Sequence, residues 1–354
     1  MKLLSIFIFT LFAFPSYAQA DLDQYLKTHY YSFDLEKGFD QRTADILKQK
    51  LVGYKLILQA EGGSHLLKCY KELPMVWIKF LNTNLGLTHF FREWGHATDI
   101  LVNKYLQTGD TSYLYPMNNI FLASLFNYNT TLPKNRKLVY FGIDFERPQT
   151  YFKALKSILP VGPPPENIRS SIDLIKNSND SSMDCDYLVD INSRLKETLS
   201  LNKEDFKVYL REHLIDFERI VLNRGSCKDV NKNRNGNMAK TFLSFDNEFN
   251  SPLYFGELGM AHTVLINRNT ASIINESSPF KDKVCVINLY CMNCSTVNGA
   301  VSNGYFKKME SDILEYFIPY CSSDFTLFDL SDKTEVTSKY RAYGQFLIIA
   351  KNQN

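Results

Sequence analysis

The stretch Tyr54-Lys55-Leu56-Ile57-Leu58-Gln59-Ala60-Glu61-Gly62-Gly63-Ser64-His65 decides the fold class. Residues 54–60 are a short, mostly apolar run that stops at a polar loop containing two glycines. Its length suits a buried strand and is too short for a buried helix. From Leu66 to Phe80 the apolar residues fall at 66, 67, 70, 73, 76, 77 and 80, which is helical spacing. Thr88 to Trp94 reads as a second strand, and Ala97 to Leu106 as a helix ended by Thr108-Gly109-Asp110. Lys137 to Phe145 reads as a third strand. Strand–helix–strand alternation predicts an α/β protein with a mostly parallel central sheet flanked by helices.

Outward from this core the pattern changes. Val161-Gly162-Pro163-Pro164-Pro165 interrupts it, and polar, helical stretches follow. They predict a helical insertion subdomain at about 160–230. Asp205 to Leu222 reads as one amphipathic helix, and Met238 to Phe249 as another. Strand signals return at Leu253–Glu257, Lys283–Leu289, Phe325–Leu330 and Gln345–Ala350. No internal repeat is visible. The expected organisation is a leader at 1–20 and a single α/β domain over 21–354.

The leader is read from its own chemistry. Lys2 supplies a positive start, Leu3 to Phe14 are apolar apart from Ser5 and Thr10, and Ala18-Gln19-Ala20 supplies small residues at the cleavage positions. This is the pattern of a signal peptide cut before Asp21, so a secreted or periplasmic protein is expected. The apolar run is too short to span a bilayer, and no membrane span is expected in the mature chain. Lys+Arg 40 against Asp+Glu 38 leaves a net charge of +2 over 354 residues. That balance gives no reason to expect nucleic acid as a partner. With 45% hydrophobic and 22% charged residues, the composition excludes a disordered chain.

Seven cysteines, all after the leader, suit disulfides in an oxidising compartment, and the odd number leaves at least one outside them. Cys291-Met292-Asn293-Cys294 is a CxxC, with Cys285 and Cys321 nearby in sequence. A zinc site would need a second CxxC to be specific, and there is none. Disulfides or buried thiols are the better reading.

In open α/β sheets ligands bind beyond the carboxyl ends of the strands. Three predicted strand-end segments carry a Glu and a His close together: Glu61 with His65, Glu93 with His96, and Glu257 with His262. They hold three of only six histidines. A carboxylate beside an imidazole orients it and raises its basicity, which makes a base for activating water. A His after a strand also serves simply to cap a helix. The sequence contains no GxSxG, HExxH or phosphate-binding glycine motif that would redirect this reading.

Taken together, these loops resemble the erythromycin esterase-like family, and more distantly the Tiki and ChaN-type proteins. The likeness runs from about Tyr54 to Asp110, through Val139–Asp144, and over Arg234–Arg268. Ala60 to His65 stands at the family's Glu-x-x-His, Glu93 and Tyr105 to Gly109 at its second motif, and Gly142-Ile143-Asp144 at its third. Arg234 before Met238-Ala239 stands at its fourth, and His262 at a loop that elsewhere carries two histidines. Departures are plain. Glu61 and His65 are one residue further apart than the pattern, Pro74 stands where an Arg is expected, and Asn235 replaces an Asp. Gly259 or Leu265 stands at the second histidine.

The resemblance implies hydrolysis of an ester or lactone bond of a small molecule without a required cofactor. It implies His65 as base, Glu61 as its orienter, Glu93 as a second carboxylate and His262 as acid or oxyanion donor. Arg92, His96, Asp144, Arg234 and Glu257 are then expected to bind substrate. Two alternatives stand beside it. One is a non-catalytic member that binds a ligand or partner. The other is a Tiki-like hydrolase with a divalent metal held by Glu61, His65, Glu93 and His262.

Overall fold

The computed structural model describes residues 21–62, 67–114, 120–178, 184–228, 230, 233–296, 298–304, 313–341 and 343–351. The leader at 1–20 and His65 therefore lie outside the described residues. The chain divides into two compact units, one formed by residues up to Leu85 and from Glu257 onward, the other by Gly86–Gly256.

In the first unit the deciding stretch is β2 (Leu56–Glu61), preceded by β1 (Tyr30–Phe33) and α1 (Gln41–Leu51) and followed by α2 (Cys69–Leu85). Asp40 caps α1 by accepting from the Thr43 amide at 2.7 Å. Leu56 to Ala60 are all buried, the polar Gln59 among them, as expected of a strand covered on both faces. β2 runs parallel to β6 (Val284–Ser295), with Leu56 opposite Val284 and Ala60 opposite Asn288. On its other side β6 is parallel to β9 (Phe346–Lys351). Antiparallel additions complete the unit: β7 (Val301–Gly304) on β6, β8 (Phe325–Asp329) on β9, and β1 on β8. The sequence reading missed β1 and β7, each of only four residues.

In the second unit β3 (His89–Arg92) and β4 (Val139–Gly142) are parallel, with His89 opposite Val139. They are joined through α3 (His96–Thr108) and α4 (Ile120–Thr131). α3 ends at Gly109, whose φ of +73° is open to glycine without strain. The Asn103 side chain donates to the Tyr140 carbonyl at 2.7 Å and accepts from its amide at 2.9 Å, so α3 satisfies the backbone of β4.

The helical insertion follows as α5 (Pro148–Ile158), α6 (Glu166–Asn177), α7 (Cys185–Leu201), α8 (Lys203–Leu210) and α9 (Leu214–Val221), then α10 (Arg234–Phe249). Leu155, Ile172, Leu195 and Phe217 share one core with Ala97 and Leu101 of α3. Each such fully buried aliphatic or aromatic side chain contributes about 1.5–3 kcal/mol. The single helix expected over Asp205 to Leu222 is broken into α8 and α9 by a turn in which Arg211 has φ 51°. Packing gives the reason. Phe206 and Phe217 stack with ring centroids 4.9 Å apart, whereas eleven residues of continuous helix would separate them by about 16 Å.

β5 (Tyr254–Gly259) crosses the boundary between the units in sequence. It leads into α11 (Met260–Thr263) and α12 (Thr270–Glu276), and α13 (Glu335–Arg341) precedes β9. The α/β class and the helical insertion are as the sequence predicts. Two cysteine pairs stand at bonding distance, Cys69–Cys291 and Cys185–Cys227, and Cys285, Cys294 and Cys321 are outside them. No helix among the described residues is long and apolar enough to cross a membrane.

Candidate active site

The best-defined polar cluster lies at the carboxyl ends of β3 and β4. There the loops after the two strands are knitted together. The Asp144 amide donates to the Trp94 carbonyl at 2.9 Å. A Cβ on Gly142 would lie 2.1 Å from that same carbonyl, so only glycine lets the strands end this close. The Glu146 carboxylate accepts from the His96 and Ala97 amides at 2.8 and 3.0 Å, capping the N-terminus of α3. Asn223, just after α9, donates to the Asp144 carbonyl at 2.9 Å and to Glu146 at 2.7 Å. The insertion thus holds the segment that presents Asp144.

Arg234 completes the cluster. It is the first residue of α10, where the helix dipole disfavours a cation. Its side chain instead reaches two acids. Nε and Nη2 donate to the two Asp144 oxygens at 3.1 and 2.5 Å, a bidentate pair. Nη2 also donates to Glu93 Oε2 at 3.2 Å. Burial opposes the guanidinium charge, but the bonds and charges of Asp144 and Glu93 outweigh it and raise the Arg234 pKa above its ordinary value. Arg147 donates to the Glu93 carbonyl at 3.1 Å and fixes that residue's backbone. The result is a rigid cation between two carboxylates.

Of the other residues expected here, Arg92 and His96 are placed differently. The Arg92 guanidinium lies 4.2 Å above the Phe121 ring. His96 faces a cavity of about 300 Å³ lined also by Asp99, His213, Asp216 and Arg219. Its Nδ1 is 3.3 Å from Asp99 Oδ2. That distance would allow an ion pair, but burial decides against one. Burial, helped by the Arg219 charge, depresses the His96 pKa to about 3. Burial, with the Glu146 charge adding to it, raises that of Asp99 well above its usual range. His96 is therefore uncharged at physiological pH and cannot form the cationic half of a pair. Burial also raises Glu146 to about 7, against the bonds from Asn223 and the two amides that lower it. The sequence reading missed Asp99, Glu146 and Asn223. For Glu146 the available signal was its place two residues after Asp144.

In the first unit, Glu61 is half-buried at the end of β2. Gly62, the next residue, is held by Tyr70, whose hydroxyl accepts from the Gly62 amide at 3.1 Å and donates to the Gly62 carbonyl. Burial raises the Tyr70 pKa, so the phenol stays protonated. His262 is half-buried in α11, which is seated on β2 by contacts of Met260 and Val264 with Ala60. Glu257 is buried within β5. Among the described residues, the one group of His, Cys, Asp and Glu close enough to share an ion is Cys69, Cys291 and Cys294. Cys285 and Cys321, weighed above beside the CxxC, are not in it.

Fold and cluster together define an α/β protein with a charged site at its strand ends. Its fold is that of the erythromycin esterase-like structures. A mutant of erythromycin esterase EreC in its open conformation superposes with a TM-score of 0.62, 13% identical over 92% of this chain and 97% of that one. A succinoglycan biosynthesis protein gives 0.65 at 12% identity over 94% and 97%. A Bacillus cereus protein gives 0.62 at 14% identity over 94% and 97%. No protein-family model matches the sequence, and no curated protein matches it. Identities this low carry the fold and not the chemistry.

Proposed function

We propose that this chain is a secreted or periplasmic hydrolase of ester or lactone bonds in a small molecule. The observation that carries the reading is Arg234, clamped between Asp144 and Glu93 at the strand ends of a fold shared with an erythromycin esterase. Two of its nitrogens serve the acids. Nη1 makes no hydrogen bond to a described residue, which suits a donor to developing negative charge on a substrate oxygen. A donor held in advance costs no reorganisation when the charge forms.

The remaining roles follow the order of steps. His65 takes the proton of water as it attacks the carbonyl, with Glu61 orienting the imidazole. Arg234 stabilises the oxyanion. Glu93 is tied to the guanidinium and positions it. His262 returns a proton to the leaving alkoxide. The leader at 1–20 supports export, and the disulfide-distance cysteines are compatible with an oxidising compartment.

The test is a panel of esters and lactones with the purified chain and Arg234→Lys. Lysine keeps one positive charge but cannot serve Asp144, Glu93 and substrate together. The expected result is turnover of at least one panel member, with kcat down about 100-fold in the variant and KM changed less. Saturable binding without turnover would replace the reading with that of a binding protein.

A further inference from the structure

We infer that Cys69, Cys291 and Cys294 form an internal thiol–disulfide exchange site, with Cys294 as the thiol that displaces one partner of the Cys69–Cys291 bridge. The inference stands apart from the hydrolase reading. It rests on three sulfurs, all buried, whose atoms lie within 4.8 Å of one another.

Strand geometry makes that grouping unusual. Residues three apart on a regular strand point to opposite faces, so Cys291 and Cys294 should diverge. They do not, because β6 is irregular between them. Its ladder with β7 shifts register from Cys291 to Cys294, and Asn293 takes φ 52°. A bulge of this kind re-aims a side chain. The third sulfur is brought in by the backbone on the other side. The Lys68 amide donates to the Ser295 carbonyl at 3.0 Å, and Leu67 bridges Thr296. Cys69 is thereby set beside the CxxC.

The chemistry has a preferred direction. Cys294 retains its thiol, which lies 3.7 Å from the Ala350 carbonyl. Once deprotonated, its sulfur attacks Cys291 Sγ. The Cys291–Cys294 bond forms, the Cys69–Cys291 bond breaks, and the electron pair leaves with Cys69. The proton lost by Cys294 goes to water, and Cys69 departs as thiolate. Nothing is oxidised or reduced overall. Cys69 is the better leaving group because it is the first residue of the seventeen-residue helix α2, whose N-terminus stabilises a thiolate.

The experiment uses the whole oxidised chain. It is held at mildly alkaline pH without reductant, quenched with acid, labelled with a maleimide and mapped by peptide mass spectrometry. The expected result is that label moves from Cys294 to Cys69 as the Cys291–Cys294 bridge appears. Cys294→Ser should retain only Cys69–Cys291, and Cys69→Ser should form Cys291–Cys294 instead. Circular dichroism checks that both variants fold. Label confined to Cys294 in the parent chain at all times would overturn the inference. So would recovery of all three as thiols, with or without a bound metal ion.

Discussion

Arg234 shows how a single residue departs from local preference to make a site. A cation at the start of a helix is unfavourable by about 0.3–1 kcal/mol. The bidentate pair with Asp144 and the bond to Glu93 offset that cost, and the guanidinium is fixed as a result. His96 makes the opposite case. The family resemblance implied substrate binding for it, yet burial keeps it neutral down to about pH 3. In an unfolded chain an imidazole takes its proton near pH 6.5. Between those values the unfolded state binds the extra proton, so stability falls as pH falls, by about 1.4 kcal/mol per unit. His96→Asn removes this dependence. Urea unfolding of both proteins at pH 7.5 and at pH 5 should show the wild type losing about 2 kcal/mol relative to the variant on acidification. An unchanged difference would mean His96 titrates normally.

At the scale of elements, the loops after β3 and β4 are the critical join. Gly142 admits no side chain, because the atom its Cβ would meet at 2.1 Å is a backbone carbonyl that cannot swing away. Gly142→Ala should therefore destabilise the fold by about 3 kcal/mol, a strong overpacking cost, read as a lower urea midpoint. The insertion has its own tie. Cys185–Cys227 closes a separation of 42 residues from the start of α7 to the segment beyond α9. In the chain-entropy account a loop of that size contributes about 4 kcal/mol. Cys185→Ser with Cys227→Ser should lower thermal stability accordingly. Equal melting temperatures would show that the pair is not bonded in solution.

The strands that bury both faces were readable because their residues are mostly apolar, with few polar residues among them. β2, β6, β8 and β9 are the instances. β1 and β7 were not readable, since four residues carry too little periodicity. The break between α8 and α9 was invisible for a different reason. The hydrophobic spacing continues through it, and only the tertiary stacking of Phe206 on Phe217 reveals it. At the site the same division holds. Asp144 and Arg234, ninety residues apart, were singled out from sequence motifs and meet as an ion pair. Glu146 and Asn223 escaped because their task is to satisfy backbone amides and one another, and no local pattern announces that.

For the whole molecule, the central claim is a hydrolase whose water is activated by His65. The direct measurement is hydrolysis of the best ester or lactone from the panel by the wild type and by His65→Ala, with folding of both verified. The account predicts that the variant loses at least about 100-fold in kcat/KM, the range of general-base catalysis. Equal rates in the two proteins would contradict it.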